Sequence, residues 1–144
     1  SRDENLRVDR YEIGDLGRWV EGDCPCGRKT PRFELLGRFG DIFKFATNYI
    51  NIGALKRVLS NTFDYHGPVQ VLLDYQGNSR MTLCVDETLD AERTLQALRD
   101  NCPEIAETLR DHTGVISVQP MSIESFIVSE HGGKIRPVVD RRNQ

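Results

Sequence analysis

The sequence lacks long apolar runs and has no excess of positive charge. Its longest apolar stretches, such as Val69–Leu73, are far shorter than the roughly 20 residues that a membrane-spanning helix needs. Nineteen basic residues against 22 acidic ones give a net charge of -3, which argues against a general affinity for nucleic acid because such binding needs a basic face. We therefore expect a cytoplasmic protein, with neither membrane nor nucleic acid among its partners.

The sequence also lacks a second pair of thiols at the spacing of metal ligands. Cys24 and Cys26 lie one residue apart in the turn-rich loop DCPCGRKTP, whereas Cys84 and Cys102 fall in a strand-like and a helix-like segment. A zinc site needs about four ligands. The pair therefore leaves two alternatives, a plain reduced loop or a structural zinc site whose remaining ligands lie elsewhere.

Alternating and helix-spaced apolar residues are present in sufficient number for one sizeable core in the 144 residues. Helices are predicted from Ile52 to about Asn61, from Leu95 to Cys102, and, after Pro103, from Ile105 to a stop at Gly114. Strands or extended segments are predicted at Tyr11–Asp15, Phe33–Leu36, Ile42–Phe45, Val69–Tyr75, Met81–Val85, Val115–Val118 and Ile135–Val139, with an antiparallel pair across the turn QGNS. This order predicts an α+β fold in which helices pack on a small antiparallel or mixed sheet.

Two regions are predicted within this arrangement. Residues 1–33 form a loop-rich junction segment that contains the CPCGR loop, and residues 34–144 form the compact α+β domain. Asn48–Asn51 is predicted as a polar and aromatic loop, and Trp19 as part of a small apolar core patch.

Three charged residues have positions that suit an anionic or hydroxylated ligand. Asp15 is predicted at a strand end, where a carboxylate can accept hydrogen bonds from a ribose diol or cap its own backbone. Arg38 and Lys134 lie in glycine-containing segments beside apolar strands, so mobile backbone can carry each cation towards an anion. Alternatively, Lys134 is a solvated loop tip next to Gly132 and Gly133.

Three stretches, YEIGDLGRW, LGRFGDIFKF and GGKIRPVVDRR, resemble successive signatures of the C-terminal part of AMP-forming adenylate enzymes. The likeness is to the phenylacetate-CoA ligase-like branch, and the CPCGR loop is similar to that branch and to acyl-protein synthetases of the bioluminescence type. The resemblance covers most of the chain in order.

The resemblance implies a small C-terminal domain that swings against a large N-terminal domain, which binds ATP and a carboxylic acid. It implies that Asp15 binds the ribose hydroxyls, that Arg38 lies beside the nucleotide at the domain junction, and that Lys134 is the adenylation lysine. It also implies that Gly40 and Asp41 form the hinge. ATP and CoA, with magnesium, would be the cofactors of the full-length enzyme.

This chain departs from the family pattern at several places. Gly40 stands where relatives often have a charged hinge residue, and Thr47 stands where they usually have a glycine near the thiol acceptor. The Ser/Thr/Gly-rich phosphate loop of the N-terminal domain is absent. We therefore expect a C-terminal domain that is inactive or nearly so without its ATP- and acid-binding partner domain.

Other classes of protein stay open at this point. An acyl-protein synthetase domain would retain Asp15 and Lys134 but would not depend on CoA. A non-catalytic ligand-sensing or oligomerising module is compatible with a small α+β layer, since fold alone does not determine function. A zinc-ribbon nucleic-acid module is the least favoured, because the charge balance is acidic and only one close thiol pair is present.

Overall fold

The computed structural model describes residues 15–22, 25–27, 29–38 and 41–143, and for residues 15–18 and 34–38 it describes the backbone alone. The chain divides into two compact units, Ser1–Gly40 and Asp41–Gln144. The predicted boundary after residue 33 falls inside a strand of the first unit, Arg32–Arg38. That strand keeps its partner up to Arg38, so the division follows at Gly40 instead.

The first unit contains an antiparallel ribbon of β1 (Asp15–Val20) and β2 (Arg32–Arg38). A strand was predicted to end in a turn at Asp15. Asp15 is instead the first residue of β1, and the chain stays extended there because Asp15 pairs with Arg38 of β2. Residues 11–14 of that prediction lie outside the described residues. A shift in register between Leu16 and Gly17 marks a β-bulge.

An aromatic pair lies on the surface of this ribbon. The rings of Trp19 and Phe33 meet edge to face across the two strands, with centroids 5.2 Å apart and planes at 69°. Trp19 is 68% exposed and Phe33 53% exposed, so the prediction that Trp19 belongs to a core patch is wrong. A two-stranded ribbon has no second layer of its own in which to bury the indole, and cross-strand stacking is the contact that remains.

The second unit contains the remaining described elements. They are β3 (Ile42–Phe45), β4 (Asn48–Asn51), α1 (Ile52–Phe63), β5 (Gln70–Tyr75), β6 (Ser79–Val85), α2 (Ala91–Asn101), α3 (Pro103–Arg110), β7 (Val115–Pro120), a 3₁₀ helix (Ile123–Ser125) and β8 (Val138–Asp140). Four of the strands form a sheet in the order β7-β6-β5-β8, while β3 and β4 form a separate hairpin. β5 and β6 pair antiparallel, as predicted, and β7 and β8 add in parallel on either side. The predicted α+β fold with a mixed sheet is confirmed.

Alternate residues of the sheet carry the core. On β5 and β6 the fully buried residues Val71, Leu73 and Leu83 share one face with Met81. Helices cover this face with apolar residues that belong to the same buried cluster, namely Leu55, Leu59, Leu98 and Ile105. The opposite face holds the side chain of Gln70, which is also completely buried.

Residues Asn48–Asn51 were predicted as a loop, and this prediction is wrong because they form strand β4. A two-residue turn at Ala46 and Thr47, with Ala46 at φ 54°, returns the chain so that Phe43 lies opposite Ile50. Both of these side chains are buried, and their packing offsets the weak strand propensity of the asparagines. The polar composition of this stretch is typical of a loop, and composition does not reveal that β3 is available as a partner strand.

Helix boundaries follow local capping, as far as the described residues show. The side chain of Asn51 accepts a hydrogen bond from the backbone N–H of Gly53 at 2.8 Å and begins α1. α1 ends at Phe63, two residues beyond the prediction, with Asp64 in a left-handed conformation at φ 53°. Pro103 separates α2 from α3 as predicted. No described helix is long and apolar enough to cross a membrane.

Candidate functional site

Lys134 directly follows the turn of a tight hairpin that spans residues 127–136. We call this segment the lysine hairpin. Val128 and Ile135 form an antiparallel bridge across it. The backbone N–H of Ser129 donates to the carbonyl of Lys134 at 2.8 Å, and that of Arg136 donates to the carbonyl of Ile127 at 3.0 Å. The backbone of the lysine is therefore held, while its side chain is exposed to solvent.

Two glycines make the turn of the lysine hairpin. Gly132 has φ +93° and Gly133 has φ +61°, which L side chains rarely adopt. Apart from the adjoining residues, no atom in the described part of the chain lies within 4 Å of a Cβ built on either glycine. The hydroxyl of Ser129 donates to the carbonyl of His131 at 2.9 Å and closes the turn from inside. The tip is thus open on its outer side, so the Lys134 ammonium is accessible to a ligand.

The base of the lysine hairpin is fastened to the sheet by Gln70, the first residue of β5. Its Nε2 donates to the carbonyl of Ile127 at 2.7 Å and to that of Arg136 at 2.9 Å. Its Oε1 accepts from the backbone N–H of Ile127 at 3.1 Å. One buried carboxamide therefore joins both strands of the hairpin. The sequence analysis did not single out Gln70, because a glutamine at the start of a mostly apolar strand gives no sign of its distant backbone partners.

The segment after the hairpin is fastened to the same strand. The backbone N–H of Val71 donates to the carbonyl of Pro137 at 2.9 Å, and that of Arg141 donates to the carbonyl of Leu73 at 2.8 Å. The guanidinium of Arg141 also pairs with Asp74 at 3.0 Å. The predicted extended stretch Ile135–Val139 thus forms first an arm of the hairpin and then part of β8.

Arg142 links the end of β8 to β3. Its Nε and Nη2 donate to the two carboxylate oxygens of Asp140 at 2.8 and 2.6 Å, and its Nη1 donates to the carbonyl of Lys44 at 2.6 Å. Hydrogen bonding to Arg142 lowers the pKa of Asp140, and the same bonds raise the pKa of Arg142. β3 begins directly after Asp41, so the segment that follows the lysine hairpin is tied to the strand that follows the predicted hinge.

The other predicted site residues occupy distinct places. Asp15 and Arg38 are brought together as register partners at one end of the β1–β2 ribbon. Both belong to the first unit, and Lys134 belongs to the second. The division between the units lies at the predicted hinge, where Asp41 begins the second unit, and Gly40 lies outside the described residues.

The assignment of Cys24 and Cys26 as metal ligands stays a prediction. Cys26 is exposed, and Cys24 lies outside the described residues. Within the described part of the chain, no group of three or more His, Cys, Asp or Glu side chains is arranged to hold a metal ion. Burial raises the pKa of the Cys84 thiol and raises that of Cys102 to about 11, so both are protonated thiols in the folded unit at neutral pH.

Comparison with known proteins finds structural likeness but no match in sequence. No family model matches the chain, and no curated protein matches it. Among solved structures, it is similar to a 2-hydroxyisobutyryl-CoA ligase in an open conformation with 2-HIB-AMP and CoA, at 20% identity and a TM-score of 0.49, covering 88% of this chain. The same ligase in its postadenylation state with R3-HIB-AMP gives a TM-score of 0.44 at 20% identity and 90% coverage.

The chain spans 28% of the length of that ligase. At this level of identity a likeness concerns the fold and not the activity, which has to be argued from the site. The fold follows from the coordinates of the chain itself. The second unit is an α+β layer in which a mixed four-stranded sheet carries helices on one face and is fastened to the lysine hairpin through Gln70.

Proposed function

We propose that this chain is the C-terminal mobile domain of an ATP-dependent acyl- or aryl-CoA ligase and that Lys134 is its adenylation lysine. The observation that carries the proposal is the combination of an open glycine tip with a fastened base. Lys134 is exposed beside Gly132 and Gly133, while the hairpin behind it is hydrogen-bonded to a buried strand. This arrangement presents an ammonium group on a short segment whose backbone is held by hydrogen bonds.

The chemistry of adenylation requires such a group. A carboxylate oxygen attacks the α-phosphorus of ATP, the bond to the β-phosphate oxygen breaks, and pyrophosphate leaves as the acyl-AMP forms. Negative charge spreads over the phosphate oxygens in the transition state. A positioned cation that meets this charge lowers the barrier more than it favours the bound substrates. Lys134 meets that requirement when its domain closes over the nucleotide.

The pairing of Asp15 with Arg38 supports a nucleotide site on the first unit. The two residues are partners in the backbone register of the ribbon, and we propose that both contribute to one nucleotide site. We propose that the Asp15 carboxylate accepts hydrogen bonds from the ribose hydroxyls and that Arg38 lies beside the nucleotide at the domain junction. The division of the chain at Gly40 and Asp41 supports the proposal that these residues are the hinge.

We further propose ATP with magnesium, CoA and a carboxylic acid as the ligands of the full-length protein. The large domain that binds ATP and the acid would lie outside the 144 residues described above. A structural zinc ion held by Cys24 and Cys26, and a location in the cytoplasm, also stay predictions. Metal analysis of the purified full-length protein checks the first of these.

The test is acid-dependent exchange of pyrophosphate into ATP by the full-length protein, across a panel of aryl and fatty acids. We expect Lys134→Ala to reduce exchange by about 10²–10³-fold, the usual effect of removing one group that stabilises developing charge. Lys56→Ala is the matched control, because Lys56 is also an exposed lysine of the second unit and lies on α1. Thioester formation from supplied acyl-AMP and CoA is expected to change little in Lys134→Ala.

Two results would contradict this proposal. Undiminished exchange in a folded Lys134→Ala protein would remove the catalytic role of the lysine. Acyl transfer to a protein thiol in place of CoA would instead favour an acyl-protein synthetase and would leave the adenylation step unchanged.

A further inference from the structure

We propose that Gln70 is the positioning residue of the lysine hairpin, so that it sets where the Lys134 ammonium can reach. This inference rests on the proposed function of Lys134. The three hydrogen bonds of the Gln70 carboxamide connect both arms of the hairpin to the first residue of β5. All three hydrogen bonds go to backbone groups of Ile127 and Arg136, so the glutamine acts on Lys134 through the backbone.

The lysine hairpin depends on this outside support because it has little of its own. Among the described residues, its arms are joined by one bridge, which consists of two backbone hydrogen bonds. The carboxamide adds three more, which engage the N–H and carbonyl of Ile127 and the carbonyl of Arg136. Arg136 follows Lys134 by two residues, so a shift at this anchor passes directly to the lysine.

The side chain at this position has to be a carboxamide. Gln70 is fully buried, and its two N–H donors and one oxygen acceptor match two carbonyls and one N–H of the hairpin. A glutamate would offer no donor and would face two carbonyl oxygens. A methionine has nearly the same length and fills the space, but it makes none of the three hydrogen bonds, so the Ile127 carbonyl keeps only its bond from the Arg136 N–H. Gln70→Met therefore isolates hydrogen bonding from packing.

The expected effect is on one half-reaction only. Misplacing a catalytic group by about 1 Å can cost about 100-fold in rate. We expect Gln70→Met to reduce acid-dependent ATP–pyrophosphate exchange by about 10–100-fold in the full-length protein. Thioester formation from supplied acyl-AMP and CoA should stay within about twofold, because Lys134 is not needed once the acyl-AMP has formed. A merely structural role would lower both activities together.

The experiment compares three variants, with the acid that supports the fastest exchange in the unaltered protein. Lys134→Ala reports the proposed function, and Gln70→Met reports the positioning role. Ile105→Val is the control for lost stability, because it removes one methyl group from a fully buried side chain on α3. Hydrogen exchange of the amides of Ile127, Ser129 and Arg136 is measured in the same proteins. We expect faster exchange of these amides in Gln70→Met and unchanged exchange in Ile105→Val.

The outcomes separate the two proposals. If Lys134→Ala abolishes exchange and Gln70→Met behaves like Ile105→Val, the positioning role is overturned and the function of Lys134 stands. If Lys134→Ala has no effect, or no acid supports exchange in the unaltered protein, both proposals are overturned. Unchanged protection of the hairpin amides in Gln70→Met would also overturn the positioning role, whatever the rates.

Discussion

Replacing Gly133 by alanine tests whether the turn conformation of the lysine hairpin matters for the adenylation step that we propose for Lys134. Gly133 has φ +61°, and among the residues that the structure describes none beyond its chain neighbours has an atom within 4 Å of the added Cβ. The cost is therefore that of the backbone conformation alone, about 1–2 kcal/mol for an L residue in the left-handed region. Since 1.4 kcal/mol is a factor of ten, the hairpin conformer becomes about 5–30 times less populated relative to alternatives.

The assay is ATP–pyrophosphate exchange by the full-length protein, together with urea unfolding. The structure offers a matched control in Gly77, which has φ +76° and whose added Cβ likewise meets no atom within 4 Å from the described residues beyond its chain neighbours. Gly77 lies in the turn between β5 and β6. We expect Gly133→Ala and Gly77→Ala to lose similar stability, about 1–2 kcal/mol at most. Only Gly133→Ala should reduce exchange, by up to about 30-fold.

Asparagine gives a graded comparison at the same position. It tolerates the left-handed region better than alanine because its short polar side chain can hydrogen-bond locally. We expect Gly133→Asn to retain more exchange activity than Gly133→Ala. The reasoning would be refuted if the Gly77 and Gly133 alanine variants reduced exchange equally, because the loss would then follow stability and not the position of Lys134.

Three further predictions concern the packing and titration of the second unit. Gly114→Ala places a Cβ 2.8 Å from the ring of the fully buried Phe45, and we expect urea unfolding to show a loss of about 1–3 kcal/mol. Hydrogen bonding to Arg142 lowers the pKa of Asp140 from its ordinary value of 3.8. The ionised carboxylate therefore stabilises the fold at pH values above 3.8, and this contribution is lost as the pH falls through the folded-state pKa. The stability difference between the native protein and Asp140→Asn should therefore be larger at pH 7 than near pH 3. With its pKa raised to about 11 by burial, Cys102 should resist iodoacetamide at pH 7 until urea unfolds the chain, as mass spectrometry would show.

Local sequence patterns predicted most of the second unit. The two helices interrupted at Pro103 and the β5–β6 hairpin follow from apolar spacing and turn residues, and both are confirmed. Apolar spacing and turn residues involve only residues close together in the sequence, so they can be recognised without knowledge of the fold. The strand β4 was missed because Asn48–Asn51 has a loop-like composition, and its pairing with β3 outweighs that composition.

The exposed aromatic pair shows the same limit from the opposite side. Trp19 is apolar, and burial was the expected outcome from its residue type. Its surroundings in the first unit are a two-stranded ribbon, where Phe33 is its ring partner. Residue type predicts a preference for burial, whereas the number of layers available decides whether that preference is met.

The sequence by itself determined the α+β class, the glycine tip that carries Lys134, and the order of the three segments that resemble adenylate-forming enzymes. Only the tertiary structure decided that Asp15 lies opposite Arg38 and that Gln70 holds the lysine hairpin. The physical reason is separation along the chain. Gln70 bonds to backbone groups 57 and 66 residues away, and the packing of β5 against the hairpin brings these partners together, which no local propensity can express.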